Sequence, residues 1–455
     1  MEPTEPGGWE RTTNRSVVEL TRKPATPQLG SRPPTAPASF HVLAKPSGPI
    51  CNLDCDYCFF LSKEALYPGD CFRMSDQVLE TYIRQLLESQ AGPDVTIAWQ
   101  GGEPTLMGVE FFRRALALVD QHRRPGQTVH HTIQTNATLL NDEWCQLFHE
   151  HGFLVGVSID GPAEMHDAFR KDKKGNPTQV RVLTGYELLR AHGVEVNILC
   201  TVNAANQDHP LAVYRYFRDE LDATFLQFIP IVERDNETGF QEGDQVTDRS
   251  VDPESWGRFL TAVFDEWVRR DVGTVYVQTF DAALASWLGL PGAVCVFAET
   301  CGDAVALEHN GDVYSCDHFV EPDYLLGNIT TTHMVDLLAS PQQRAFGDAK
   351  RDGLPQYCRD CTVRFACNGE CPKNRFILTP DGEPGLNYLC AGYKSFFTHI
   401  DGLMQIMADH LRRGGFADEV MDTLRQTERN HPCPCGSGRK AKVCHQLAAC
   451  ESGAP

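Results

Sequence analysis

The chain has 455 residues, with 61 acidic against 41 basic side chains and a net charge of −20. That length supports two or three domains and a large core. The acidic balance argues against nucleic acid or an anionic membrane as the main partner, because both reward a basic surface. No apolar run reaches the roughly 18 residues of a membrane span. Residues 1–37 are polar and proline-rich and lack the apolar stretch of a secretory signal, so a cytoplasmic location without membrane insertion is expected. The eighteen cysteines cluster at short spacings. Without a signal segment, that pattern points to metal ligation in a reducing compartment rather than to disulfides.

Residues 1–38 have no periodicity and are expected to be disordered. From Phe40 a regular alternation begins. Apolar runs at 40–44, 95–99, 131–134, 153–159, 194–202 and 225–229 predict buried strands. Helical patterns at 75–89, 109–121, 142–151, 180–192 and 211–220 lie between them. This alternation implies parallel strands covered by helices, and six units suit a partial (β/α)6 barrel of α/β class. A closed eight-stranded barrel would need two more units. Asp252 and Pro253 start a further helix to about residue 270. After it the alternation stops. Residues 295–390 hold eight cysteines with little helical pattern, which suggests a smaller metal-held domain closed by helix from 392 to about 427. The expected division is a tail at 1–38, a barrel at 39–270, a cysteine-rich domain at 271–400, a helical linker at 401–428 and a small metal motif at 429–450.

Three groups of residues carry the chemistry. Cys51, Cys55 and Cys58 form C-x3-C-x2-C directly after the first strand, at the strand end where barrel-like α/β folds place active sites. Three close thiolates can hold three irons of a four-iron cluster and leave one iron open. A zinc knuckle with a remote fourth ligand is the alternative. The second group is Cys295, Cys301, Cys316, Cys358, Cys361, Cys367, Cys371 and Cys390. Eight thiolates fit two fully ligated four-iron clusters, or two structural zinc sites. The third is Cys433-Pro-Cys435 with Cys444-His445, a donor set suited to tetrahedral zinc. About 25 residues cannot bury a core, so the metal would supply the folding free energy there. Arg439, Lys440 and Lys442 in this segment are a docking face or a solvated one. Cys71, Cys145, Cys200 and Cys450 have no partner spacing.

The run CNLDCDYCFF resembles the signature of the radical S-adenosylmethionine superfamily. Gln100-Gly101-Gly102-Glu103-Pro104 after the second strand resembles its GGEP motif. The resemblance implies S-adenosylmethionine bound through its amino and carboxylate groups at the open iron. Gly101 and Gly102 would let backbone approach the methionine part, and Glu103 would take the amino group. Ser158 would contact the ribose and Arg170 the carboxylate. The second cysteine field resembles the SPASM domain. This implies one auxiliary cluster on Cys295, Cys301, Cys316 and Cys371, and another on Cys358, Cys361, Cys367 and Cys390. The last segment resembles the SEC-C motif, with zinc on Cys433, Cys435, Cys444 and His445.

Residues 295–301 and 307–319 resemble the anaerobic sulfatase maturases in particular. Those enzymes convert a Cys or Ser of a sulfatase into Cα-formylglycine. The resemblance implies three [4Fe-4S] clusters, an unfolded or nascent sulfatase polypeptide as substrate, and a reducing donor such as flavodoxin or ferredoxin. Asp317 matches the proposed general base. Gln100 and Phe60 are expected to meet the substrate peptide. Phe60 stands where the family often has Tyr, and Thr135-Asn136-Ala137-Thr138-Leu139 where it often has TNGTL. Another SPASM peptide maturase, forming thioether or carbon–carbon crosslinks, shares the clusters. A non-catalytic zinc-rich binding module would share only the cysteines.

Overall fold

The computed structural model describes Pro27, Gly30 and residues 32–292 and 294–445. Most of the expected tail and Cys450 lie outside the described residues. Residues 32–38, expected within the disordered tail, are instead held against the body. Arg32 donates to the carbonyls of Ser89 and Pro37, and Thr35 Oγ1 donates to Ala339 O at 3.0 Å.

Six strands run parallel and pair in chain order: β1 (His41–Ala44), β2 (Asp94–Trp99), β3 (Thr128–Thr135), β4 (Phe153–Ser158), β5 (Glu195–Val202) and β6 (Phe225–Pro230). Helices α1 (Asp76–Ser89), α2 (Val109–His122), α3 (Asp142–Glu150), α4 (Ala163–Phe169), α5 (Gln179–Ala191) and α6 (Pro210–Arg215) connect them. The strands alternate as a covered sheet must. In β2, Val95, Ile97 and Trp99 are buried towards the helices, while Thr96 and Ala98 are half-buried on the other face. Trp99 meets Tyr82 of α1 and Phe111 and Phe112 of α2 edge-on, at 5.5–5.7 Å between ring centres. Burial of each such ring is worth about 1.5–3 kcal/mol. The half-buried inner face leaves a lumen above which the strand-end loops converge.

The sheet continues where the sequence pattern stops. α7 (Pro253–Arg270), capped by Asp252 with Pro253 in its first turn, leads to β7 (Tyr276–Val277), which joins β6 in parallel, and then to α8 (Gln278–Trp287). β8 (Ala304–Leu307) lies parallel to β1 on the opposite edge, and β9 (Asp312–Tyr314) and β10 (Leu325–Asn328) extend it antiparallel. The result is an open ten-stranded sheet ending in β10 and β7. The cysteine-rich region is thus hydrogen-bonded to the barrel through β8. These added strands have two to four residues each, too short for a period to show.

Short helices α9 (Met334–Leu338), α10 (Pro341–Asp352), α11 (Gln356–Arg359) and α12 (Arg364–Cys367) and the hairpin β11 (Arg375–Leu378) and β12 (Pro384–Asn387) complete the cysteine-rich region. The expected single helix from 392 is two, α13 (Cys390–Arg412) and α14 (Glu419–Gln426), separated after Gly414, whose φ is +81°. Likewise α6 gives way to a π-helical turn at Tyr216–Glu220. α13 packs along α7. A Cβ on Gly257 would fall 2.7 Å from Gly392 Cα, so two glycines permit this close crossing. No described helix is long and apolar enough to cross a membrane.

Candidate active site

β1 runs into Lys45 and then into the loop of Cys51, Cys55 and Cys58, which is held from two sides. On one side Gly102 N donates to Gly48 O and Glu103 N to Ile50 O, both at 2.9 Å. A Cβ on Gly102 would lie 2.1 Å from Ile50 O, and one on Gly101, at φ +110°, 2.7 Å from Gly48 O. The glycine pair therefore makes room for the backbone of residues 48–50, which leads into the cysteine loop. On the other side Asp54 N donates to Lys171 O and Asp56 N to Phe169 O, both at 2.9 Å. That pairing brings Arg170 to the loop. Burial pushes the Cys51 thiol up to about 12, with Glu103 adding to it. Burial pushes Cys55 up to about 11, and Arg170 works against the rise. A thiol that ligates a metal must give up this proton. Cys51 Sγ accepts from Leu53 N at 3.3 Å, and Asn136 Nδ2 stands 3.6 Å away. Such N–H contacts to sulfur tune a cluster.

Glu103 is fully buried and joins the ends of β2 and β3. Oε1 accepts from Thr105 N, Thr105 Oγ1 and Thr135 Oγ1 at 2.6–3.0 Å, and Oε2 accepts from Asn136 N at 2.8 Å. Next to it Ala137 has φ +58° and is buried. The left-handed backbone explains why glycine suits this position in the TNGTL pattern. Relief of roughly 1–2 kcal/mol of strain is offset by chain entropy and a buried methyl, so alanine is tolerated. Ser158 at the end of β4 accepts from Gln134 Nε2 at 3.0 Å. Arg170 is buried, with Nε donating to Asp160 Oδ2 at 2.9 Å and its guanidinium over the Tyr57 ring. Tyr57 in turn donates to Asp160.

Asp317 comes to the same mouth from beyond β9. It is buried, and Lys45 Nζ lies 2.7 Å from its Oδ1 and 3.3 Å from Glu308 Oε1. Phe60 lies against this pair, its ring centre 4.9 Å from Lys45 Nζ. Gln100 N donates to Ala44 O at 2.8 Å, which sets Gln100 beside Lys45 at the adjoining strand end. Loops after β1, β2 and β9 thus converge on one point.

The eight later cysteines fall into two neighbourhoods. Cys316 is raised by burial and then by Cys371 and Cys295, and Cys301 by burial with Cys295 among its neighbours. Cys358, Cys361, Cys367 and Cys390 line one small pocket together. Among the described residues, two groups of three or more ligand-type atoms lie within 4.8 Å of one another, both around His445. The other cysteines form no such group among the described residues. Cys433, Cys435, Cys444 and His445 are spaced for one ion. Cys435 and Cys444 Sγ are 3.6 Å apart, and His445 Nδ1 lies 3.4 Å from Cys433 Sγ and 3.3 Å from Cys444 Sγ. Tetrahedral zinc, with Zn–S about 2.3 Å and Zn–N about 2.0–2.1 Å, sets ligands roughly 3.5–3.8 Å apart. Cys71 is exposed, and Cys145 and Cys200 are buried.

Residues 46–216 match the Radical SAM superfamily, 295–362 the iron–sulfur cluster-binding domain SPASM, and 429–447 the SEC-C motif. The chain is 46% identical over 395 residues to a serine-type anaerobic sulfatase-maturating enzyme of Bacteroides thetaiotaomicron, covering 85% of this chain and 95% of that one. This chain belongs to the anaerobic sulfatase-maturating enzymes. A cysteine-type member from Clostridium perfringens is 33% identical over 79% of this chain and 95% of its own. The structure of native anSMEcpe with bound AdoMet superposes with a TM-score of 0.73 at 33% identity, over 81% of this chain and 99% of that one. Iron–sulfur clusters and S-adenosylmethionine are the cofactors of such an enzyme.

Sequence reasoning missed Lys45, Asp160, Tyr57 and Asn136 at this site. A lysine ending the apolar run His41–Ala44 is a visible signal; the others lie in ordinary strand-end contexts. A cavity of about 730 Å³ lies elsewhere, at the N-terminal ends of β4 to β7 near Phe225 and Tyr276. It holds none of the cysteines and belongs to the barrel's far end.

Proposed function

We propose that this enzyme oxidises an active-site serine or cysteine of an unfolded or nascent sulfatase polypeptide to Cα-formylglycine, with Asp317 as the proton acceptor. The relative at 46% identity is named serine-type, so serine is the first substrate to test. S-adenosylmethionine, bound where Cys51, Cys55 and Cys58 would hold an iron cluster, supplies the abstraction of one hydrogen atom from the substrate Cβ. From serine, one proton and one electron then remain to be removed; from cysteine the same loss gives a thioaldehyde, which water converts to the aldehyde with release of hydrogen sulfide. Asp317 takes the proton, and adjacent Cys316 belongs to the neighbourhood that would hold the nearer auxiliary cluster, an electron acceptor. The conjunction of Asp317, Lys45 and Cys316 at the barrel mouth is the observation that carries this reading.

In this reading the chain's own residues orient and enclose the reactants. Arg170, fixed by Asp160, is assigned to the cofactor carboxylate, Glu103 to its amino group and Ser158 to its ribose. Gln100 and Phe60 face the substrate peptide. Three four-iron clusters are assigned, on the triplet and on the two cysteine quartets, with zinc on Cys433, Cys435, Cys444 and His445. A flavodoxin or ferredoxin supplies the reducing electron. Co-expression with a sulfatase, followed by mass analysis of its active-site peptide, tests the reaction. A peptide lighter by two hydrogens at serine supports it, and an unmodified peptide opposes it.

A further inference from the structure

The C-terminal motif does not project from the enzyme. The turn at Cys433–Cys435 sits directly on α13, where a Cβ on Gly402 would fall 2.3 Å from Cys435 O. His445 offers Nδ1 to the thiol cluster, which leaves Nε2 for another partner. That partner is Asp265 Oδ1 of α7, at 3.1 Å across 180 residues. The same oxygen accepts His399 Nε2 of α13 at 2.7 Å. One carboxylate therefore links α7, α13 and the metal motif. Val420 and Leu424 of α14 are buried, and α14 packs against both α7 and α13. A metal-bound histidine that gives its second nitrogen to a carboxylate is fixed in tautomer and orientation and made a stronger ligand.

We infer that Asp265 is the outer carboxylate of the zinc centre, orienting His445 and, with His399, fastening the C-terminal motif across the α7–α13 pair. Asp265 and His399 are positioning residues, and the motif acts as a clasp between the barrel and the helix that begins at Cys390. The inference rests on reading Cys433, Cys435, Cys444 and His445 as a zinc centre.

The test uses the full chain purified anaerobically, with zinc affinity measured by competition against a chromophoric chelator. Asp265→Ala should weaken zinc binding by about 10–100-fold with iron content unchanged. Asp265→Asn, which keeps an accepting oxygen without the charge, should recover part of that loss. A wild-type enzyme without stoichiometric zinc would defeat the reading of the centre. A zinc-loaded wild type whose Asp265→Ala variant binds zinc equally would defeat the inference alone. Hydrogen exchange on the wild type, with and without zinc, gives an answer should the variants not fold. Zinc removal should speed exchange in the C-terminal half of α7 and at 399–412, and acceleration confined to 431–445 would overturn the clasp.

Discussion

The ammonium of Lys45, at the end of the first strand, stands 2.7 Å from the carboxylate of Asp317, 272 positions later in the chain. Burial works against the charge on Lys45, but Asp317 and Glu308 outweigh it, so its pKa is raised. A raised lysine pKa gives stability that is complete below the ordinary value of about 10.4 and is lost only as pH rises through the folded value. The pair is therefore intact at neutral pH. Lys45→Met would leave the buried Asp317 carboxylate without its cation, while Glu308 keeps His309 at 3.7 Å; breaking such a buried pair typically costs about 3–5 kcal/mol. Thermal melts of the holoenzyme should show that loss. A variant with wild-type melting would mean that the contact contributes nothing to the fold.

Asp317→Asn tests the proton acceptor. The amide keeps shape and one accepting oxygen beside Lys45 but does not take a proton. General-base help is worth about 10²–10⁴-fold in rate. The variant should retain iron, still form 5′-deoxyadenosine, and make formylglycine more slowly by roughly that factor. Wild-type formylglycine yield would assign the proton to another group or to water. Loss of iron would show that the carboxylate only braces the Cys316 loop.

Replacing Cys51, Cys55 and Cys58 together by Ala should remove about a third of roughly twelve irons and abolish S-adenosylmethionine cleavage. Iron analysis and product chromatography on the same sample read both. Cleavage surviving in the triple variant would contradict the assignment of this loop.

Ending the chain after Thr427 removes the zinc motif and exposes Asp265 and His399. The three proposed iron sites are complete without it, so iron content and S-adenosylmethionine cleavage should persist while the melting temperature falls. Unchanged melting would contradict the docking seen at Gly402 and Asp265.

The barrel was legible because its strands are apolar runs separated by amphipathic helices, and the sequence places β1 to β6 within one to three residues of their observed ends. β7 to β10 were not, since two to four residues carry no period and their pairing is decided by tertiary contact. The cysteines were legible from spacing, because ligands to one group sit in short runs. Their supports were not. Lys45 and Asp317, or His445 and Asp265, are joined only by folding across hundreds of residues. The glycines after β2 show the same limit. Sequence marks them as needing space, but only the structure shows that the space belongs to residues 48–50.

The most direct measurement is mass analysis of a sulfatase-derived peptide after anaerobic reaction with the reduced enzyme and S-adenosylmethionine, run with serine and with cysteine at the target position. The proposed oxidation predicts formylglycine at that position together with 5′-deoxyadenosine. 5′-Deoxyadenosine with both peptides unchanged, or joined by a new thioether or carbon–carbon bond, would contradict it.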